Sequence, residues 1–166
     1  MRVIRATPAQ LPALAGLFHA YRAFYGRPRE DARVEAFLRE RLARDDSVIL
    51  LAVDDEREGA EDHASGEVLG FAQLYPTFSS IRLRRAWILN DLFTAPAHRR
   101  RGVARALLAA VKAVARESGA ALVELATAES NASARALYES AGYRLDDFLH
   151  YYLELPAEPD PRASGR

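Results

Sequence analysis

Six consecutive apolar residues, Val48-Ile49-Leu50-Leu51-Ala52-Val53, constrain the fold of this chain more than any other feature. A strand with no polar position has no face for water, so both of its faces must be covered. Val68 to Leu74 is almost as apolar and points to a second strand of the same interior sheet. Helices to cover that sheet are legible nearby. Thr7-Pro8-Ala9-Gln10 has the form of a capping box, with proline at the first helical position. The residues after it place Leu11, Leu14, Leu17, Phe18, Tyr21 and Tyr25 on one side, and Gly26 with Pro28 ends the helix. A second helix, from Asp31 to Arg44, repeats the pattern with Val34, Phe37, Leu38 and Leu42.

Around these, Arg2 to Ala6 reads as a short first strand. Asp54 to Gly66 reads as a solvated hairpin loop and Tyr75 to Arg85 as an irregular one. Ala86 to Thr94 is expected to be a strand stopped by Pro96. Gly102 to Ser118 is an amphipathic helix with Val103, Leu107, Ala110, Val111 and Val114 inward and Gly119 as its left-handed cap. A strand (Ala121 to Thr127), a short helix (Asn131 to Ala141, capped by Gly142) and a last strand (Tyr143 to Leu155) follow. The order β, α, α, β, β, β, α, β, α, β implies an α/β fold: a mixed sheet with helices on both faces and a right-handed crossover through the Gly102 helix. Residues 1–155 are expected to form one domain, and the proline-bearing 156–166 a disordered tail.

Composition narrows function by exclusion. The formal net charge is zero, so no global field draws the chain to nucleic acid or to an acidic membrane. Cysteine is absent, which removes disulfides, thiolate metal sites and a cysteine nucleophile. His19, His63, His98 and His150 lack metal-ligand spacing, so no metal centre is expected. The first residues turn polar too early for a signal peptide, and no apolar run approaches the roughly 18 residues of a membrane span. The expected location is the cytoplasm.

The stretch most informative about function is Arg99-Arg100-Arg101-Gly102-Val103-Ala104, lying between a strand and a helix. A helix N-terminus presents unpaired N–H groups and about half a positive charge, and a pyrophosphate fits there if the backbone can approach closely. Gly102 permits that approach, Ala104 leaves the first turn uncrowded, and guanidiniums add charge-assisted hydrogen bonds. A solvated basic helix start in which Gly102 only makes a turn is the plainer reading. A nucleic-acid contact would call for an aromatic platform or a wider basic stripe, and neither accompanies the triplet.

Arg99-x-x-Gly102-x-Ala104 resembles the coenzyme A signature (Gln/Arg-x-x-Gly-x-Gly/Ala) of the GNAT superfamily of N-acetyltransferases. Downstream, Asn131 to Tyr143 resembles that family's second motif, Asn-x-x-Ala-x-x-Leu-Tyr-x-x-x-Gly-Tyr/Phe. The resemblance covers Arg2 to Leu155, the N-terminal third by element order alone. It implies a three-layer fold whose twisted, six- to seven-stranded sheet splays between its fourth and fifth strands. It further implies acetyl-coenzyme A as donor, with the backbone of Leu92, Phe93 and Thr94 pairing with the pantetheine arm. Arg99, Arg100, Arg101, Gly102, Val103, Ala104 and Arg105 would then hold the pyrophosphate, with Asn131 and Ser133 nearby.

Tyr138 matches the family tyrosine that protonates the departing thiolate, a task that suits a phenol with a pKa of about 10. It also shares a helical stripe with Ala134, Leu137 and Ala141, so a packing role stands beside the catalytic one. Asn131 reads equally as a helix N-cap. Trp87 to Phe93 resembles the matching strand of diamine and other small-amine acetyltransferases, which carry an acidic pair where this chain has Asn90 and Asp91. Asp91 is therefore the candidate base, or else a structural acceptor of backbone hydrogen bonds near the splay. Phe24, Tyr25, Glu30, Tyr75, Phe78, Trp87 and Asn90 are the candidate walls of an acceptor site, and aromatics with carboxylates suit a cationic amine. The implied reaction is direct transfer to a primary amine in a ternary complex, a small molecule ahead of a protein. The implied partners include no nucleic acid and no membrane, and allow a homodimer. A coenzyme A–binding module without catalysis is the alternative that Asn90 keeps open.

Overall fold

The apolar run Val48–Val53 is a strand with every side chain buried. The computed structural model describes residues 1–54 and 66–155, in the order β1 (Arg2–Arg5), α1 (Leu11–Phe24), α2 (Asp31–Arg44), β2 (Val48–Val53), β3 (Val68–Ser79), β4 (Arg84–Thr94), α3 (Val103–Glu117), β5 (Leu122–Glu124) and α4 (Ala132–Ser140). The expected hairpin loop after Asp54 and the expected tail at 156–166 lie outside the described residues. A 3-10 turn, Pro8–Gln10, leads into α1. Its capping box forms as read, with Thr7 Oγ1 accepting from the Ala9 N–H and Gln10 Oε1 accepting from the Thr7 N–H at 2.9 Å.

The sheet is mixed, in the order β1-β2-β3-β4-β5, with antiparallel neighbours throughout except for the parallel β4–β5 pair. Side chains of β2 alternate between two cores. Val48, Leu50 and Ala52 meet Leu107, Leu108 and Val111 of α3, whereas Ile49, Leu51 and Val53 meet Leu14 of α1 with Val34 and Leu38 of α2. The expected layers are thus present. The strand count differs: among the described residues the sheet has five strands, because Tyr143–Leu155 forms no ladder with any of them. The loop expected over Tyr75 to Arg85 is also shorter. Tyr75–Ser79 pairs in register with Ile88–Arg84, so cross-strand pairing overrides the turn-like composition and only the tip around Ser80–Leu83 turns.

One irregularity directs the site. Gln73 pairs with Asp91 but Leu74 pairs with Leu89, so Asn90 is an extra residue on β4, a β-bulge. Before it, Trp87 and Leu89 face α3; after it, Asp91 and Phe93 face α1, since one inserted residue reverses the alternation. The parallel pairing of β4 with β5 ends at Ile88 and Glu124, just short of the bulge. Past that point the two strands separate.

Gly70 sets the height of the far end of β4. A Cβ there would sit 2.5 Å from the Phe93 carbonyl oxygen and 3.0 Å from Val103 Cγ1. Gly70→Ala is expected to push β4 and α3 off β3 and to destabilise the fold by about 1–3 kcal/mol, seen as a Tm lower by several degrees.

Candidate active site

Where β4 and β5 part, a cavity of about 910 Å³ opens. Leu89, Asn90, Leu92, Phe93 and Thr94 line one side of it, and Ala126 with Thr127 the other. Arg99, Arg100, Gly102, Val103, Ala104 and Arg105 close one end, Tyr21, Phe24 and Tyr25 of α1 contribute an aromatic wall, and Asn131, Ser133 and Tyr138 come from α4 and its cap.

The turn ahead of α3 leaves a run of backbone amides open. Arg100 has φ +60 and Gly102 φ +83, and a backbone curled by left-handed residues aims successive N–H groups into one concavity. The first helical hydrogen bond runs from the Ala106 N–H to the Gly102 carbonyl at 3.0 Å, which leaves the amides of Val103, Ala104 and Arg105 without acceptors in the helix. Nothing lies within 4 Å of the place a Gly102 Cβ would occupy. Arg99 is held at the rim, its Nε donating to the Thr94 carbonyl at 3.4 Å and its guanidinium 6.0 Å from the Phe24 ring. Exposed amides, a bare glycine and guanidiniums at one end of a long cleft fit a pyrophosphate-bearing donor. Arg101 does not line the cavity. It reaches His98 Nδ1 at 3.1 Å and Asp54 at 3.8 Å, and His98 in turn contacts Glu67, so this arginine ties the turn to the sheet.

Asp91 lies behind the cavity wall, 4% exposed, opposite the fully buried Gln73. Its carboxylate accepts from the Tyr21 hydroxyl and, at 3.1 Å, from Asn90 Nδ2. Burial pushes the Asp91 pKa above the usual carboxylate range, and these two hydrogen bonds offset only part of the shift. Both of its partners line the cavity, so the carboxylate is reached through them. Burial first, then the bond to Asp91, drives the Tyr21 phenol far up. Tyr21 also packs edge-on against Tyr25, Phe71 and Phe93. Sequence reading placed Tyr21 only on the apolar stripe of α1. The missed signal was its hydroxyl, which needs a partner when the ring is buried.

Tyr138 faces the cavity with its ring edge-on to Tyr143 at 5.8 Å. Burial raises its pKa, with Tyr25 adding to the effect, so the phenol stays protonated at neutral pH. Asn131 both lines the cavity and caps α4, its Oδ1 accepting from the Ala134 N–H at 3.2 Å. Of the candidate acceptor walls, Phe24, Tyr25 and Asn90 line the cavity and the rest do not. Glu30 is engaged by Arg22 and Arg33. Tyr75 sits near Asp91, its phenol pushed up to about 12 by burial and that charge. Phe78 is 70% exposed toward the hairpin tip, and Trp87 is buried at the far end of β4, donating from Nε1 to Ser118 Oγ at 2.8 Å.

The acetyltransferase (GNAT) family model matches residues 14–143. The Bacillus subtilis (strain 168) N-acetyltransferase YhfO is 42% identical over 159 residues, covering 95% of this chain and 100% of the relative. A solved structure of a probable acetyltransferase superposes with a TM-score of 0.85 at 43% identity, covering 95% of this chain and 100% of that one. An aminoglycoside acetyltransferase from an uncultured soil metagenomic sample, solved with sisomicin, shares the fold at 14% identity and a TM-score of 0.73, covering 93% of this chain and 96% of its own. A family match over most of the chain and a relative at 42% identity agree, and the chain belongs to the GNAT acetyltransferase family. It is an N-acetyltransferase. Among the described residues no helix is long and apolar enough to cross a membrane.

Proposed function

We propose that this enzyme moves an acetyl group from acetyl-coenzyme A directly to a primary amine, with both held in the cleft between β4 and β5. The observation that carries the reading is the cavity itself, which runs without a break from the Arg99–Arg105 turn to Tyr138 and the aromatic wall over Asp91. Acetyl-coenzyme A supplies an acetyl group activated as a thioester. The amides of Val103, Ala104 and Arg105, with Arg99 and Arg100, hold the pyrophosphate, and the separated edge of β4 at Leu92–Thr94 holds the arm.

An ammonium must lose a proton before its nitrogen can attack. In this reading Tyr21 passes its hydroxyl proton to Asp91 as it takes the amine's, and Asn90 keeps the carboxylate oriented. Tyr138 donates to the leaving sulfur. The nitrogen loses a second proton as the tetrahedral adduct collapses, and that proton restores Tyr138 after its gift to sulfur; the one held at Asp91 leaves to solvent, so one proton is released per turnover. Tyr21, Phe24 and Tyr25 above a buried carboxylate suit a small cationic acceptor. The aminoglycoside acetyltransferase that shares the fold acts on such a molecule. The same reading places the enzyme in the cytoplasm, beside its donor.

Direct transfer is tested by incubating the enzyme with labelled acetyl-coenzyme A alone. No label should stay on the protein, and initial-rate plots against both substrates should intersect. A stable acetyl-enzyme or parallel plots would overturn the ternary complex. Gly102→Ala gives a separate test of the donor end. An alanine at φ +83 is strained by about 1–2 kcal/mol, and its methyl points into open space at the turn. The expected result is a KM for acetyl-coenzyme A raised roughly tenfold with kcat little changed.

A further inference from the structure

Asp91 has a neighbour that the proposed mechanism leaves idle. Gln73 stands directly opposite it on β3, and the next pair on that face is Phe71 with Phe93, both packed under α1 and α2. Side chains repeat with period two along a strand, so Gln73 and Asp91 share that face, where directly opposed Cβ atoms stand about 4.5–5.5 Å apart. Gln73 is fully buried and Asp91 is 4% exposed. An amide in such a place ordinarily satisfies both of its ends. Here Nε2 donates to Ser47 Oγ at 3.4 Å, and Oε1 has no partner among the described residues.

The strands β2 and β4 flank β3 on opposite sides. An amide whose nitrogen is turned to Ser47, the residue before β2, has its oxygen turned toward β4 and Asp91. An ionised carboxylate offers that oxygen nothing, because both are acceptors. A protonated carboxyl has an O–H to give, and Gln73 Oε1 is placed to receive it. The buried oxygen is thus unsatisfied while Asp91 is ionised and satisfied once Asp91 holds a proton. Tyr21 and Asn90 hydrogen-bond the ionised form, so the two states of the carboxyl have different partners. The other titratable or charged groups around it are Tyr75 of β3 and, past Tyr75, Arg41 of α2 with Asp46, which lie 3.2 Å apart.

We propose that Gln73 is a positioning residue for the base: its free amide oxygen accepts from the Asp91 carboxyl once that group has taken the acceptor's proton. The inference rests on the reading of Asp91 as base and adds to it the state that follows proton transfer. Tyr21 passes its hydrogen to the carboxylate as it takes the amine's, and the loaded carboxyl donates to Gln73 Oε1. When the proton leaves to solvent, the carboxylate returns to Tyr21 and Asn90. Gln73 itself exchanges no proton.

The test is a carbon-13 NMR titration of the full chain with labelled aspartate, the Asp91 carboxyl being identified as the signal lost in Asp91→Asn. Gln73→Met keeps the length of the side chain and removes the acceptor. The Asp91 midpoint should then fall by about one pH unit, the size expected for one hydrogen bond to a buried group. Burial by itself predicts the opposite, since a thioether is less polar than an amide and would raise the midpoint. Gln73→Glu should raise it, because two facing carboxyls share one proton, and this variant reads the same contact should the methionine variant fail to fold. A midpoint that stays or rises in Gln73→Met overturns the proposal, as does one that Gln73→Glu leaves unmoved. The acidic limb of the pH–rate profile should follow the NMR midpoint in both variants. A limb that persists in Asp91→Asn defeats the reading of Asp91 as base, whereas the NMR midpoints report on the Gln73 contact alone.

Discussion

Asp91→Asn is expected to lower kcat/KM for amine acetylation by about 10² at neutral pH and to erase the acidic limb of the pH–rate profile. Asp91 must be ionised to take a proton, so activity rises as pH climbs through its pKa. Burial has moved that pKa upward, so the limb should lie above the ordinary carboxylate range. Tyr21→Phe breaks the relay and should lower kcat/KM as well, and by removing a hydrogen bond that favours the ionised form it should shift the limb of the residual activity to still higher pH. Stability moves the other way. A carboxyl whose pKa is raised in the fold contributes stability below its unfolded pKa and loses that contribution as pH rises through the folded one. Asp91→Asn should therefore raise Tm at neutral pH while activity falls, an outcome that misfolding cannot imitate. An acidic limb that persists in Asp91→Asn excludes Asp91 as the base.

Tyr138→Phe should reduce kcat at least tenfold, about 1.4 kcal/mol or more of lost transition-state stabilisation, with acetyl-coenzyme A binding intact. The separation is possible because the ring's packing against Tyr143 does not involve the hydroxyl. With its pKa raised by burial, the phenol is fully protonated at neutral pH, and only the hydrogen it offers to sulfur is lost. Equal losses in kcat and in donor affinity, read by calorimetric titration, would show that Tyr138 merely shapes the cavity.

What could be read from the sequence was local. Val48–Val53 needs no partner to announce burial, Thr7-Pro8-Ala9-Gln10 carries its own capping logic, and Asp31–Arg44 is one uninterrupted helical period. The Arg99–Ala104 turn is similarly self-contained, and with the Asn131–Tyr143 segment it was enough to place the family. What escaped was decided by pairing. Tyr75–Ser79 looks like a loop until β4 lies alongside it. The bulge at Asn90 leaves no trace in a strand that is apolar on both faces, so the turn of Asp91 toward Tyr21 could not be foreseen. Phe78 and Trp87 were expected at the acceptor, but the length of the hairpin carries them to the opposite end of β4 from the cavity. The last strand, expected over Tyr143 to Leu155 from its apolar alternation, is not a strand among the described residues, because nothing there supplies it with a ladder.

The most direct test of the central claim is thiol release from acetyl-coenzyme A, followed across polyamines, amino acids, aminoglycosides and peptides. The account predicts thiol release that depends on at least one primary amine and is strongest for small cationic acceptors. Tight binding of acetyl-coenzyme A with no thiol released in the presence of any of these amines would contradict it.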